Sequence, residues 1–265
     1  METLIAGLAD GEGVVALFGP PGTGKTLLSL LLAERLAEGS EVSLLPSAPS
    51  GRAGLLQAAL HDLGQPYEGR TEAEARLALV DHLLAKYREG RRTVLLLDEA
   101  HSLAPEALEE VRMLGNLEGR GGKALQAVLI GLPDMQAMLL RPSLACLRQR
   151  LAVRAQLDPL PLDEAVDYVL HHVRAAGGDP AALFSQEALE MLARASGGVP
   201  RLLGQGATAA LRIAAGAEAE QADAEAMTEA LSRLGMSAAD EGDVKILPGV
   251  EEDPACRLYA PRRQA

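Results

Sequence analysis

Tryptophan is absent from this chain, and only two phenylalanines and four tyrosines occur in its 265 residues. The core must therefore be assembled from Leu, Val, Ile and Ala. Cysteine is almost absent as well. Cys146 and Cys256 lie far apart and in no metal-ligand spacing, which fits reduced thiols in a cytoplasmic protein better than a disulfide framework. The N-terminal "METLIAGLADGEG" lacks a basic segment and a long apolar run, which argues against a signal peptide. The most apolar stretch, "LLSLLLAERLA" (27–37), is broken by Glu34 and Arg35 and is too short to span a bilayer. Positive charge is also scarce. Lys and Arg number 25 against 37 Asp and Glu, giving a net charge of −12. An overall electrostatic grip on nucleic acid is thereby disfavoured, although one local basic patch remains open.

What is present is an ordinary globular composition, 48% hydrophobic and 23% charged, in a chain long enough for one large domain and a smaller one. "GVVALFG" (13–19) is a short apolar run ending in glycine, as a buried parallel strand does. A helix over 25–38 follows, then a strand "EVSLL" (41–45) stopped by Pro46, and a helix over 52–63. Thr71 and Glu74 spell a capping box before the helical "EAEARLALVDHLLAKYREG". "TVLLLD" (93–98), "ALQAVLIG" (124–131) and "LAVRAQL" (151–157) supply three further strands, with a helix over 104–118. This alternation predicts an α/β fold: a parallel five-strand sheet flanked by helices. From "PLPLDEA" (159–165) only helices remain, over 162–176, 185–196, 200–215 and 223–234. The boundaries expected are a nucleotide-binding domain over 1–158, a small all-α domain over 159–235 and a flexible tail over 236–265.

The chemistry begins at "GPPGTGKT" (19–26), which matches G-x-x-x-x-G-K-[ST] at every fixed position. Gly19, Gly22 and Gly24 let the backbone curl so that successive N–H groups face one concavity suited to phosphate oxygens. Pro20, Pro21 and Thr23 complete the loop, and the helix beginning at Lys25, Thr26 and Leu27 adds positive potential at its N-terminus. Lys25 is placed to reach the β- and γ-phosphates of ATP, and the Thr26 hydroxyl to ligate Mg²⁺. A second half of the site is "LLLDEAH" (95–101). Its apolar residues deliver Asp98 to the C-terminal edge of a strand, where such sheets bind ligands. Asp98 is the expected holder of Mg²⁺ and Glu99 the expected activator of the attacking water. The letters DEAH also spell a helicase signature, but that helicase needs a second core domain and far more chain.

A phosphate loop and an acidic strand end, in a five-strand core followed by a helical lid, resemble the AAA+ ATPases. The blocks "LDEAHSLAPEALEEVRMLGNLE", "LQAVLIGLPDMQAMLLRPSLACLRQRLAVRAQLDPL" and "ASGGVPRLL" narrow the resemblance. Over about residues 12–235 they are similar to the origin-recognition/DEAH type, and within it to the ExeA/GspA-like general secretion ATPases. The resemblance implies a P-loop NTPase fold, an oligomer and an unidentified protein partner. It also implies an arginine finger in "LRQRL" (147–151), with Arg150 first and Arg148 second, and a sensor-2 role for Arg201 in "GGVPR". Two departures stand out. The family usually carries a polar residue at the end of the fourth strand, whereas this chain has Leu132, so weak basal hydrolysis is expected. The membrane span, the peptidoglycan-binding region and the aromatic N-terminal segment of full secretion ATPases have no counterpart in the sequence, so secretion is not carried over.

The remaining candidates have plain explanations. His101 reads as a loop residue beside a strand end, and His171 with His172 as a solvated helix face. The basic "KYREGRRT" (86–93) suits a helix C-terminus, where the macrodipole favours cations. Asn116 and Glu118 match the family's "NLE" block without a derivable role. The leading function is an ATP-hydrolysing, assembly-stimulated switch. Alternatives are a nucleotide-controlled scaffold with little turnover, and a DNA-binding ATPase of transposition or replication type.

Overall fold

The computed structural model describes residues 1–119 and 122–236. Cys256 and nearly all of the expected tail lie outside the described residues. In chain order, α1 (Glu2–Ala9), β1 (Val14–Phe18), α2 (Lys25–Ala37), β2 (Ser40–Leu45), α3 (Gly51–Asp62) and α4 (Glu72–Arg88) lead to β3 (Arg92–Leu97). A 3₁₀ turn, Ala100–Ser102, then precedes α5 (Pro105–Leu114), the two-residue strands β4 (Glu118–Gly119) and β5 (Gly122–Lys123), and β6 (Leu125–Gly131). The six-residue helices α6 (Asp134–Leu139) and α7 (Ala145–Arg150) precede β7 (Leu151–Gln156). Five helices follow: α8 (Leu162–Ala175), α9 (Pro180–Leu183), α10 (Gln186–Ala195), α11 (Pro200–Gly216) and α12 (Ala224–Arg233).

The main sheet has the order β2-β3-β6-β1-β7, with every pairing parallel. This is the five-strand parallel architecture expected from the strand–helix alternation. Its central strands are apolar at nearly every position because helices cover both faces. One face, with Ala16, Phe18, Leu95, Leu97 and Leu129, packs on α3, α4 and α5 through Leu55, Leu60, Leu83 and Leu108. The opposite face, with Val15, Leu17, Leu96, Val128 and Ile130, is covered by Leu4 and Leu8 of α1 and by Leu32 and Leu36 of α2. The period-two alternation of the strands thus feeds two separate cores. β7 lies at the sheet edge and alternates buried and more open residues, as "LAVRAQL" does in sequence.

Strand and helix identities follow the sequence closely; the differences are local. Residues 2–9 carried no sequence signal for an element, yet they form α1, whose Gly7 lies against β7 so closely that a Cβ would meet Val153 Cγ2 at 2.6 Å. The helix expected over 104–118 stops at Leu114. The N–H of Gly115 still donates to Val111 O, but Asn116 and Leu117 close 3₁₀-type bonds to Met113 O and Leu114 O. The chain then turns into the β4–β5 ladder. α6 and α7 are too short for periodicity to register. Beyond β7, α8 and α10–α12 enclose a core of their own around Val169, Leu189, Leu192, Leu203, Met227 and Leu231.

Candidate nucleotide site

β1 ends at Phe18, and the next residue must be glycine. A Cβ on Gly19 would sit 2.6 Å from Leu157 O, where the start of the α8 connection crosses the loop. The Gly19 N–H donates to Gly131 O at 3.2 Å, tying the loop to the end of β6. Gly22 and Gly24 take φ of 82° and 97°, the left-handed region open to glycine. Thr23 Oγ1 and Lys25 Nζ both donate to Pro20 O, each at 2.9 Å, so the loop closes on itself before α2 begins. Burial pushes the Lys25 ammonium below its ordinary pKa; Glu99 and Asp98 oppose that shift through their charges, and Arg201 adds to it.

β3 delivers the acidic half. Asp98 is 1% exposed and its N–H donates to Leu45 O of β2 at 2.9 Å, which fixes the strand end. Thr26 Oγ1 donates to Asp98 Oδ2 at 2.7 Å across 72 residues of sequence. Asp98 Oδ1 accepts from the Glu99 N–H at 2.9 Å. Glu99 itself has φ of 54°, one of two non-glycine residues at positive φ among those described. That turn swings its side chain, 46% exposed, over the loop. A hydroxyl and a carboxylate at this separation are hard oxygen donors, and their chemistry fits Mg²⁺, which takes few protein ligands and completes its shell with water and phosphate.

An open cleft of about 430 Å³ joins these groups, lined by Gly22, Lys25, Thr26 and Glu99, by Leu132 from the β6 end, and by Tyr168, Pro200 and Arg201 from the helical region. The Arg201 N–H donates to Gly22 O at 3.2 Å. A Cβ on Gly22 would meet Arg201 Cβ at 2.9 Å and Val199 Cγ1 at 3.0 Å, so α11 rests directly on the loop. Gly198, at φ 73°, permits this approach, since its Leu160 contact leaves no room for a side chain.

Many of the residues named from sequence therefore converge: Pro21, Gly22, Gly24, Lys25, Thr26, Glu99 and Arg201 line one cleft, the buried Asp98 is tied to it through Thr26, and the Leu27 side chain is exposed. Arg150 does not join them. It ends α7 immediately before β7, beside Glu12, Gly13 and Arg112, at the end of the sheet opposite Asp98. It is exposed and makes no hydrogen bond or salt bridge among the described residues, although its charge helps Lys123 hold the Glu118 carboxyl below the usual range. Arg148 is partly buried, with a long 3.4 Å contact to Leu140 O. Tyr168 was not singled out by sequence, and its only signal was being an aromatic in a chain nearly without them. His101, read as a loop residue, lies 3.5 Å from Glu99 through Nε2. His171 and His172 are exposed on α8, as a solvated helix face requires, and the His172 ring lies 4.3 Å from that of Tyr168. No group of three or more metal-ligating side chains gathers among the described residues. The basic segment 86–93 is largely spent on intramolecular contacts, Lys86 to Glu89 at 3.0 Å and Arg91 to Ser40 O at 3.1 Å.

Comparison with known proteins agrees with this geometry. Residues 8–139 match the family model of the AAA domain. General secretion pathway protein A of Aeromonas hydrophila is 40% identical over 198 residues, which cover 74% of this chain and 36% of that protein. Among solved structures, Cdc6p from Pyrobaculum aerophilum superposes with a TM-score of 0.70 at 20% identity, covering 88% of this chain and 65% of that one. The Aeropyrum pernix ORC2 protein, solved as ADPNP–ADP complexes, reaches 0.62 at 19% identity, covering 86% and 64%. The chain belongs to the AAA family. It spans only about a third of the length of the secretion relative. Among the described residues no helix is long and apolar enough to cross a membrane.

Proposed function

We propose that the cleft binds ATP with Mg²⁺ and hydrolyses it, and that the chain works as a cytoplasmic homo-oligomeric switch acting on a protein partner. The observation that carries this reading is the 2.7 Å Thr26–Asp98 hydrogen bond, which joins loop and strand end with Lys25 and Glu99 alongside. Mg²⁺ would supply positive charge against the phosphates. Thr26 and Asp98 would hold it, exchanging their mutual bond for ligation. The loop N–H groups of residues 22–26 cradle phosphate oxygens, and Lys25 exchanges Pro20 O for the β- and γ-phosphates. Glu99 orients the attacking water and accepts its proton. Arg201, already tethered to Gly22, neutralises γ-phosphate charge as residues 159–235 close like a lid over residues 1–158.

Arg150 enters from a neighbouring subunit. Its place at the far end of the sheet prevents action on its own cleft, while its exposure suits presentation to another. An arginine so placed contributes roughly 10³–10⁵ in rate. Leu27, Leu30 and Leu31 form an exposed apolar stripe starting one residue after Thr26, which a neighbour covering the cleft would bury. A second reading, a nucleotide-controlled scaffold with slow turnover, is favoured by one observation: Leu132 presents no polar atom from its side chain to the cleft. Nucleic acid gains no support from the net charge of −12. Phosphate release by wild type and Glu99→Gln decides between enzyme and scaffold. The ATPase reading expects a loss of about 10²–10⁴-fold with nucleotide binding retained; equal rates would leave only the scaffold.

A further inference from the structure

Glu99 has the freedom of a long side chain and needs a fixed direction to act on water. Its carboxylate makes no hydrogen bond to another side chain among the described residues, and nearly half of the side chain is exposed. A base of this kind must be held to within a fraction of an ångström. Leu132 lines the same cleft from the end of β6 and has no polar side-chain atom to share the work of placing the water.

His101 lies where that deficit can be met. It sits in the 3₁₀ turn that follows Glu99, with Nε2 at 3.5 Å from Glu99 Oε2. Its backbone is wedged against the end of β6: a Cβ on Gly131 would meet His101 N at 3.2 Å and Met135 Sδ at 2.9 Å. The His101 backbone thus lies against Gly131, the last residue of β6 and the one before Leu132. Its Nδ1 is buried without a hydrogen-bond partner. This orphaned atom sets the tautomer. A proton on Nδ1 would bury an N–H with no acceptor and would turn the Nε2 lone pair toward a carboxylate. A proton on Nε2 avoids both and gives Glu99 a donor.

We propose that His101 is a positioning residue for Glu99: its Nε2–H holds Oε2, leaving Oε1 for the attacking water. The 3.5 Å separation shortens to a hydrogen bond when nucleotide closes the cleft, as catalytic contacts in ligand-free sites commonly do. This inference rests on Glu99 being the base. It gives the last letter of "DEAH" a part in the chemistry without any helicase.

The test is single-turnover hydrolysis of Mg·ATP by the full chain, with nucleotide affinity measured separately using a fluorescent ATP analogue. His101→Ala is expected to lower the rate constant at least about tenfold, a modest part of what a positioned base contributes, with affinity unchanged. His101→Gln, which keeps a donor, is expected to recover most of the rate. An unchanged or raised rate in His101→Ala would overturn the proposal. So would a rate loss matched by lost affinity, or one that His101→Gln fails to relieve while both variants melt like wild type. Glu99→Gln run in parallel separates the two levels. If it hydrolyses like wild type, the ATPase reading falls and the His101 proposal with it. If it is inactive while His101→Ala is normal, only the His101 proposal falls.

Discussion

At Glu99 the backbone adopts a conformation that non-glycine residues seldom take, and strain of that kind is kept where it serves a site. The cost is tolerable because the residue's N–H is held by Asp98 on one side and the 3₁₀ turn begins on the other. Leu132, which lines the same cleft, presents an apolar side chain to it. Placing an amide there, Leu132→Gln, is expected to raise the hydrolysis rate severalfold at saturating ATP, as one added hydrogen bond to the water would. Steady-state phosphate release checks this, and an unchanged rate would show that the water is placed without that position. Lys25 carries a pH signature. Its folded pKa is lowered below 10.5, so the protonated form that attracts phosphate is lost earlier on alkaline titration than in an exposed lysine. Nucleotide affinity should therefore weaken progressively through alkaline pH, and Lys25→Arg, which stays charged, should flatten that dependence even if it binds less well overall. In the absence of ligand the unfolded chain keeps this proton to higher pH than the folded one. The destabilisation from Lys25 is thus present below its folded pKa and is relieved as pH rises toward 10.5.

Among the elements, α4 shows how local signals suffice where chemistry is local. Thr71 Oγ1 accepts from the Glu74 N–H at 3.3 Å, and Glu74 Oε2 accepts from the Thr71 N–H at 2.8 Å. Those reciprocal bonds, readable as T-E-A-E in sequence, start the helix at the residue expected. Thr71→Ala should cost about 0.5–2 kcal/mol, seen as a lower melting temperature with nucleotide affinity unaffected. Thr71 also holds the Glu74 carboxyl below its ordinary 4.5 through backbone and side-chain bonds. Because the folded pKa is depressed, that contribution is present above 4.5 and lost as pH falls through the folded value. The gap between wild type and Glu74→Ala should accordingly narrow in acid. α1 and α5 show the opposite case. Residues 2–9 are too few, and include a glycine, for periodicity to announce a helix; contact with β1 and β7 stabilises it. The end of α5 carried a glycine signal at Gly115, but the apolar spacing through Leu117 masked it. Where the helix stopped was settled by the turn that feeds the β4–β5 ladder.

For the whole molecule, the separation of Arg150 from the cleft is the fact with the largest consequence. A single subunit carries Glu99 at the C-terminal end of the sheet and Arg150 at the N-terminal end. ATP turnover per subunit is therefore expected to rise with protein concentration. Arg150→Ala should abolish that rise, lowering the rate at high concentration by about 10³ or more, while leaving nucleotide affinity and the dilute rate unchanged. Turnover independent of concentration in wild type would remove the trans arginine. Arg148, partly buried and turned to Leu140 O, is expected to have a smaller effect.

The sequence by itself determined the α/β class, the five parallel strands, the phosphate loop and the acidic strand end. Each of these depends on short-range rules: period-two burial, glycine at positive φ, a capping box, an apolar run ending in aspartate. What only the tertiary structure decided is distance between residues remote in the chain. It brought Thr26 to Asp98, set Tyr168 and Arg201 of the helical region over the loop, kept Arg150 away, and turned His101 from a loop residue into a neighbour of Glu99. Such contacts follow from how helices pack on a twisted sheet, and spacing along the chain does not encode that packing in any local pattern.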